Sequence, residues 1–456
     1  MTRRYALFHL AAMATVWSCC AVSPLLCHAQ AAMLAPTPPM GWNSWDSFGP
    51  SVREDEVKAN ADFMAAKLAK YGWRYVVVDI EWYQPDAHAH GYIARGRVTM
   101  DKYGRFVPSP NRFPSAAGDT GFKPLADYVH SKGLKFGIHI MRGIPREAVD
   151  KNLPIEGTAL HAADVADKVN VCKWKGMEDT YGVDMTKPGA QEYYDSIARL
   201  YASWGVDFVK ADDMSRPFRG PEIHALRVAL TKTGRPIVLS LSPGPAPIDK
   251  YPELKADSQM WRISNDFWDR WIDIKEQFDR ARDWENDSHP GGWPDADMLP
   301  LGHIAIRGER GDDRKSLLTH DEQITLMNLW AMFRSPLMFG GDLPSSDDFT
   351  IRLLTNADVL AVNQHSSHGH ESYRKDGVIA WTADGPAGVR YVAVFNASDA
   401  VARVDLAWPE VGVAGPAFKV KDLWQKSEAN KDVADSKGVH TSIAAHASVL
   451  YELSSR

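Results

Sequence analysis

Two segments of the chain place carboxylates beside basic residues. The segment 208–213 is an apolar run that contains Lys210 and Asp212, and a later segment contains Arg262 and Asp266. Because the side chains of a strand alternate between its two faces, Lys210 and Asp212 are expected to point the same way. In a barrel of parallel strands both would lie at the carboxyl-terminal mouth, where such folds keep their chemistry. Arg262 and Asp266 would enter the same mouth from a neighbouring strand.

Two carboxylates flanked by Lys and Arg are what hydrolysis of a glycosidic bond with retention of configuration requires. Asp212 would attack the anomeric carbon, while Lys210 keeps it ionised and holds sugar hydroxyls. Asp266 would protonate the leaving oxygen and later deprotonate the water that resolves the intermediate. Asp213 is the competing nucleophile, but strand alternation turns it away from Lys210. Arg262 would hold a hydroxyl beside the anomeric centre, form a salt bridge with a neighbouring aspartate, or do both.

These residues need a scaffold that brings strand ends together. Short apolar strands alternate with helical stretches over residues 38–355, and helical spacing is clear over 54–70 and 191–203. The predicted strands are 40–45, 75–79, 135–140, a strand ending at Asp212, 236–241, 260–263, a strand near 298–299, and 337–339. This number of strands in a segment of this length predicts an α/β fold, a (β/α)₈ TIM barrel.

After residue 363 the pattern changes to short strands with turn residues between them. The runs are 378–381, 389–395, 402–406 and 448–453. Because no long helical pattern interrupts them, they predict a C-terminal antiparallel β-sandwich domain. A chain of 456 residues is also long enough for two domains. The predicted organisation is a signal peptide at 1–31, a catalytic barrel at 32–362 and the sandwich at 363–456.

The first residues have the features of an export signal. Arg3 and Arg4 precede a mostly apolar run over 5–21, and small residues at 27–31 suit cleavage. The run is too short for a membrane anchor. Removal would leave Cys172 as the one cysteine, so no internal disulfide is expected in the mature protein. We therefore predict an exported protein, periplasmic or extracellular, without a membrane anchor.

The charge balance argues against a nucleic-acid partner. The formal net charge is −6, and Lys and Arg are scattered rather than clustered. A neutral substrate fits better, and some of the 16 tryptophans could stack on sugar rings, although most are expected in the core. His88 and His90 are read as loop residues rather than metal ligands. No metal or organic cofactor is expected, because the carboxylates do the proton and covalent work.

Several motifs follow one another along the chain in a fixed order. They lie at 37–45, 204–212, 262–266, 291–299, 329–338 and 354–364, and a last one lies at 421–424. Together they resemble glycoside hydrolase family 27, the family of α-galactosidases and α-N-acetylgalactosaminidases. The resemblance implies a retaining mechanism with Asp212 as nucleophile and Asp266 as acid/base. It also implies that Trp45, Lys210 and Arg262 contact the sugar.

The predicted sugar clamp departs from the family's pattern. After the second strand the family usually has Asp-Asp-Cys-Trp, whose paired acids grip the galactose 4- and 6-hydroxyls. Here the run is Asp79, Ile80, Glu81 and Trp82, and the family's Tyr after the third strand is His139. We expect Asp79, Glu81, Trp82 and His139 to bind substrate in a rebuilt clamp. The catalytic residues match the family, and the match to galactose is weaker.

The sequence therefore predicts an exported, retaining, exo-acting glycoside hydrolase of α-galactosidase type that acts on oligo- or polysaccharides. A β-L-arabinopyranosidase is an alternative, since that sugar is galactose without the hydroxymethyl arm. An isomaltose-releasing dextranase is another alternative on the same mechanism and would need a longer open cleft. A carbohydrate-binding protein on an inactive scaffold is an alternative of a different class. The presence of Asp212, Asp266, Lys210 and Arg262 together argues against it.

Overall fold

A sheet of eight parallel strands lies at the centre of the computed structural model, which describes residues 1–2, 33–415, 417–424 and 435–455. The strands are β1 (Met40–Asn43), β2 (Tyr75–Val78), β3 (Lys135–Met141), β4 (Phe208–Asp212), β5 (Val238–Leu241), β6 (Met260–Arg262), β7 (Trp293–Asp295) and β8 (Leu337–Phe339). From β1 to β7 each strand pairs with the next one along the chain, and β1 also pairs with β8. A bridge between Leu299 and Phe339 closes the sheet. The predicted α/β barrel is confirmed.

The inside of the barrel changes from apolar to polar along the strands. One layer is formed by apolar side chains from successive strands: Tyr75, Phe208, Val238, Met260, Trp293 and Met338. Two residues further along, and therefore on the same face of each strand, lie Lys210 in β4, Arg262 in β6 and Asp295 in β7. The apolar layer fills the barrel, and the polar layer forms the floor of its carboxyl-terminal mouth.

Helices surround the barrel. The longer ones are α1 (Glu54–Phe63), α2 (Lys123–Ser131), α3 (Ala190–Trp204), α4 (Gly220–Lys232), α5 (Tyr251–Asp257), α6 (Trp271–Asp283), α7 (His320–Phe333), α8 (Asp348–Leu354) and α9 (Ala357–His365). The predicted helix over 54–70 is regular α-helix only to Phe63, and π and 3₁₀ turns continue it to Tyr71. At the start of α7, Thr319 and Glu322 each accept the other's backbone N–H, which forms a capping box.

Two parts of the barrel differ from the sequence prediction. The seventh strand is Trp293–Asp295 rather than a strand near 298–299, although Leu299 contributes the closing bridge. It is short and contains a proline, so it lacks the apolar run by which the other strands were recognised. A small sheet of Ile144–Pro145, Ala166–Asp167 and Thr180–Val183 is inserted between β3 and β4 and was not predicted.

The C-terminal part of the chain is an antiparallel β-sandwich, as predicted. Its strands are β9 (Ser367–Lys375), β10 (Val378–Asp384), β11 (Arg390–Asn396), β12 (Ala402–Ala407), β13 (Phe418–Asp422), β14 (Gly438–Ile443) and β15 (Ser448–Ser455). One sheet has the order β9-β10-β11-β15-β13, and β12 pairs with β14 in the other. The predicted domain boundary after residue 362 falls within α9. The predicted signal peptide lies almost entirely outside the described residues.

The barrel and the sandwich share one apolar core. Trp381 of β10 packs against Phe333 of α7 with ring centroids 6.2 Å apart, and Phe395 of β11 packs against Phe278 of α6 at 5.0 Å. Asn328 of α7 also donates a hydrogen bond of 2.9 Å to the hydroxyl of Ser448. Because α7 is covered on both sides, its apolar residues are buried nearly all round. Within the described residues, no helix is long and apolar enough to cross a bilayer.

Candidate active site

A cavity of about 510 Å³ opens at the carboxyl-terminal ends of the barrel strands. It brings together most of the residues that the sequence analysis selected: Trp45, Asp79, His139, Lys210, Asp212, Arg262 and Asp266. In barrels of this kind the carboxyl-terminal mouth is the place where substrates bind. The cavity is therefore the candidate active site.

Asp212 is a buried carboxylate that is held in the ionised form. His139, which faces Lys210 in the register of β3 and β4, places Nε2 3.0 Å from Oδ2 of Asp212. The backbone N–H of Asp213 donates to the other carboxylate oxygen at 3.1 Å. Burial alone would raise the pKa of Asp212, but the hydrogen bond and charge of His139, together with the charges of Lys210 and Arg262, lower that pKa to about 2. Asp212 therefore carries a negative charge throughout the physiological range.

Lys210 and Asp79 form an ion pair on the other side of the cavity floor. The ammonium group of Lys210 donates to Oδ2 of Asp79 at 2.8 Å, and the amide of Asn43 donates to the same oxygen at 2.7 Å. Burial acts to raise the pKa of Asp79, but the charges of Lys210 and His139 outweigh it and lower the pKa. Lys210 was expected to keep Asp212 ionised. Its direct partner is Asp79, and His139 acts more strongly on Asp212.

Arg262 holds two carboxylates at the opposite wall. Its guanidinium donates to Asp266 at 2.6 Å and to Asp297 at 2.9 Å, so the salt bridge considered from the sequence is present. Asp269, another aspartate that follows Arg262 closely in the sequence, pairs with Arg314 instead. The side chain of Asp266 is 57% exposed at the rim of the cavity, where water reaches it. Asp266 is therefore placed to exchange protons with solvent.

The chain turns away from the cavity after Ile80. Ile80 lines the cavity, whereas Glu81 is 0% exposed and Trp82 is buried, and neither lines it. Burial and the nearby charge of Asp179 raise the pKa of Glu81 to about 9, in spite of the charge of Arg112, so Glu81 is neutral at pH 7. The indole of Trp82 donates its N–H to a backbone carbonyl of β3 at 2.8 Å and packs among aromatic side chains. The structure does not bring Glu81 and Trp82 into the cavity, where substrate binding was predicted for them.

Loops contribute cavity residues that the sequence analysis did not select as binding residues. Tyr92 stacks on Trp45 with ring centroids 5.8 Å apart, and Asp46, Asp297 and Glu309 also line the cavity. Burial raises the pKa of Asp46, Asp297 and Glu309. Asp297 lies in the family-like motif 291–299, which could have indicated its position. Tyr92 and Glu309 lie in irregular loops, where no local pattern indicates a binding residue.

A buried ion cluster supports the end of β4. Arg142 donates to Asp213 at 2.8 Å and to Glu222 at 2.7 Å, and it is 2% exposed. Asp213 does not line the catalytic cavity; it lies just beyond the end of β4, and its positive φ of 58°, rather than strand alternation, sets its direction. The cluster fixes the residue that follows Asp212, and so it restrains the orientation of the Asp212 carboxylate.

Comparisons with known proteins identify the class. A family model described as α-galactosidase A matches residues 37–148 and 160–365, and one described as the α-galactosidase C-terminal β-sandwich domain matches 375–453. An α-galactosidase of Cyamopsis tetragonoloba is 30% identical over 436 residues, which cover 93% of this chain and 87% of that protein. An α-galactosidase A of Cellvibrio japonicus is 30% identical and covers 75% of this chain and 72% of its own length.

A solved structure is similar over nearly its whole length. It is described as a family 27 β-L-arabinopyranosidase from Geobacillus stearothermophilus, is 49% identical, and has a TM-score of 0.88. The match covers 92% of this chain and 97% of that chain. The barrel, the carboxylate-lined cavity and these similarities define a glycosidase. The chain belongs to glycoside hydrolase family 27, the α-galactosidase family, as its motifs predicted.

Proposed function

We propose that this glycosidase removes terminal β-L-arabinopyranosyl residues. The observation that carries the proposal is the position of Ile80, which lines the cavity beside Asp79 where the family's second acid is expected. β-L-Arabinopyranose has the ring hydroxyls of galactose and lacks the hydroxymethyl arm. Asp79 can still accept a ring hydroxyl, whereas Ile80 offers no partner for a 6-hydroxyl. Burying that hydroxyl unpaired against an apolar side chain is unfavourable, so the armless sugar fits better.

The relatives support the choice of sugar to different degrees. The arabinopyranosidase from Geobacillus stearothermophilus is 49% identical to this chain. The α-galactosidases from Cyamopsis tetragonoloba and Cellvibrio japonicus are each 30% identical. The larger identity supports the arabinopyranoside.

The proposed reaction proceeds through a covalent intermediate. Asp212 attacks the anomeric carbon while Asp266 gives its proton to the departing oxygen, which breaks the glycosidic bond and leaves a glycosyl ester on Asp212. Asp266 then takes a proton from a water molecule, whose oxygen attacks the same carbon and releases Asp212. His139, Lys210 and Arg262 keep Asp212 negatively charged for the first step. Two displacements at one carbon retain its configuration.

The organisation of the protein completes the proposal. The enzyme acts outside the cytoplasm after removal of residues 1–31, with the barrel at 32–362 carrying the reaction. The sandwich at 363–456 supports the barrel through the core that the two domains share. No metal or organic cofactor takes part in these steps, and the substrate is the end of an oligo- or polysaccharide.

An α-galactosidase is the second candidate. It is favoured by Asp79, which remains beside Lys210 and Asn43 in a position to bind a ring hydroxyl common to both sugars. The two candidates differ at one point of the sugar, the carbon that carries the arm. They are therefore separated by substrates that differ at that carbon.

The test compares nitrophenyl β-L-arabinopyranoside, α-D-galactoside and α-D-glucoside as substrates of the purified protein. We expect kcat/KM for the arabinopyranoside to exceed that for the galactoside by about tenfold or more, since a pocket that pairs no 6-hydroxyl disfavours it. Ile80→Asp should shift the ratio toward the galactoside, and Ile80→Val should leave it unchanged. A wild-type preference for the galactoside would replace the proposal by the second candidate. Binding of saccharides without cleavage of any substrate would favour the non-catalytic alternative, and release of disaccharide from dextran would favour the dextranase.

A further inference from the structure

A second cavity lies beside the catalytic one. Its volume is about 560 Å³, and it is lined among others by Lys173, Trp174, Asp213 and Arg219. Trp174 also lines the catalytic cavity, so this half-buried indole stands between the two. The two cavities therefore adjoin at this side chain. The face of an indole is a suitable surface for the apolar face of a pyranose ring.

Four cations surround Trp174, and we call them with Trp174 the cationic groove. Lys173 and Arg219 line the second cavity, and Lys175 and Arg216 line the catalytic cavity. Among the described residues, none of these four has a carboxylate within ion-pair distance. Nε of Arg219 is in addition buried without a hydrogen-bond partner in the described part of the chain. An unpaired buried donor of this kind favours a ligand that accepts a hydrogen bond.

The other cations of the catalytic cavity are all paired. Lys210 pairs with Asp79, Arg262 with Asp266 and Asp297, Arg270 with Asp273, and Arg310 with Glu309. The paired cations therefore balance the carboxylates of the catalytic site, whereas the charges of the four groove cations are available to a ligand.

The acid that lines the second cavity, Asp213, interacts more strongly with Arg142 than with Arg219, whose charge also acts to lower the pKa of Asp213. The carboxylate of Asp213 accepts a hydrogen bond of 2.8 Å from Arg142, which also pairs with Glu222 in the buried ion cluster at the end of β4. Three of the four groove cations, Lys173, Lys175 and Arg216, are exposed to solvent. A protein with a formal charge of −6 therefore presents a local positive surface at the exit of its catalytic cavity.

We propose that the cationic groove binds an acidic sugar on the leaving-group side of the scissile bond, with Trp174 against its ring and the cations around its negative group. The negative group is a uronic acid carboxylate or a sulfate ester, since Lys and Arg bind both. The inference rests on the proposed function in that the terminal sugar occupies the catalytic cavity. It revises the neutral substrate expected from net charge: the terminal sugar is neutral, and the next sugar is acidic.

The test uses three disaccharides that share a β-L-arabinopyranosyl unit and differ in the second sugar, which is glucose, glucuronic acid or 6-O-sulfoglucose. We expect kcat/KM for an acidic substrate to exceed that for the glucose compound by about fivefold to tenfold, mainly through a lower KM, because the contact is made equally in the ground and transition states. The advantage should decline as NaCl rises from about 0.02 M to about 0.5 M, because salt screens exposed charges. The better of the two acidic substrates identifies the negative group.

Variants assign the effect to the groove. The double variant Lys173→Gln/Arg219→Gln should bring the ratio of acidic to neutral kcat/KM close to one. Lys67→Gln, which removes an exposed lysine from the segment after α1, should leave the ratio as in the wild type. Equal kcat/KM for neutral and acidic substrates in the wild-type enzyme would overturn the inference. So would a ratio that the double variant does not lower.

Failure of the proposed function has a different signature. In that case the wild-type enzyme cleaves none of the three arabinopyranosyl compounds. The comparison is then made with the same second sugars attached to α-D-galactose, the second candidate for the terminal sugar. Calorimetric titration of the Asp212→Asn variant with methyl glucuronide and methyl glucoside compares binding without any turnover. Tighter binding of the glucuronide is expected, and equal binding contradicts the inference.

Discussion

Asp212 and Asp266 line the same cavity, but Asp212 is buried at the end of β4, whereas Asp266 lies exposed on the loop that follows β6. The side chain of Asp212 is 12% exposed and accepts a hydrogen bond from His139. The side chain of Asp266 is 57% exposed and contacts Arg262. A group that must stay charged is thus enclosed among cations, and a group suited to give and take protons is open to water. Their surroundings, more than their chemical type, distinguish the two carboxylates.

The largest expected effect comes from removing the enclosed charge. Asp212→Asn should lower kcat/KM about 10⁴-fold or more on every substrate, because the amide cannot form the glycosyl ester. Activity is measured on aryl and sugar-linked substrates. Asp127→Asn, which neutralises an exposed carboxylate on α2, serves as the control and should retain wild-type activity. Substantial activity in Asp212→Asn would exclude Asp212 as the nucleophile.

Removing the exposed carboxylate should give a smaller loss that depends on the leaving group. Asp266→Asn should lower kcat/KM about 10²- to 10⁴-fold when the leaving group is a sugar that needs a proton, and much less for a dinitrophenyl glycoside. Added azide should accelerate turnover of the dinitrophenyl substrate, because it attacks the intermediate without needing a base. An equal loss on both kinds of substrate, without azide rescue, would show that Asp266 does not act as the acid/base.

The contrast between the two carboxylates depends on His139. His139→Gln should raise the pKa of Asp212, because the charge of His139, which helps to lower that pKa to about 2, is lost, while the amide can still donate a hydrogen bond. Asp212 is then protonated at higher pH, so the acid limb of the kcat/KM profile should move up by about one to two pH units. His224→Gln, which alters an exposed histidine on α4, is the matched control. An unchanged acid limb would show that His139 does not control the charge of Asp212.

Glu81 extends the comparison to a buried carboxyl without a cation that keeps it ionised. Its pKa is raised to about 9 in the folded protein, so it is protonated in the fold and ionised in the unfolded chain at neutral pH. Stability should therefore fall as the pH rises from about 5 toward 9. Glu81→Gln cannot ionise, so its free energy of unfolding should not show this fall. The free energy of unfolding of the variant minus that of the wild type should therefore be larger at pH 8 than at pH 5, by about 1–3 kcal/mol. Urea unfolding at both pH values measures this difference, and a difference that does not change with pH contradicts the raised pKa.

The sequence revealed the parts of the fold and site that depend on local periodicity. β4 is an apolar run that ends at a polar residue, and strand alternation correctly predicted that Lys210 and Asp212 line the same cavity. β7 was misplaced because Trp293–Asp295 is short and contains proline. β9 was missed because its residues are polar and partly exposed.

Some residues were placed wrongly from the sequence or could not be placed. Their positions depend on the course of the chain beyond the strands and on contacts between distant segments. Glu81 lies one position after the family's second acid, and the backbone turns and buries it. Tyr92 reaches the cavity from a long loop and meets Trp45 only in three dimensions. The partner of Lys210 is Asp79 rather than Asp212, because the distance between side chains across strands decides which charges pair. Such facts depend on non-local geometry, which local patterns do not contain.

Because α7 and the sandwich share a core, the barrel can be completed only late in the synthesis of the chain. β1 finds its second partner only when β8 has been made, and the cover of α7 is complete only when Leu450 in β15, near the end of the chain, leaves the ribosome. Until β10 and β11 have left the ribosome, the apolar faces of Phe333 and Phe278, which pack against Trp381 and Phe395, are exposed to water. Such surfaces promote aggregation. We expect ribosome-bound chains that stop before Ser448 to be digested by protease throughout the barrel. Protection of the barrel in such chains would show that it folds before the sandwich is complete.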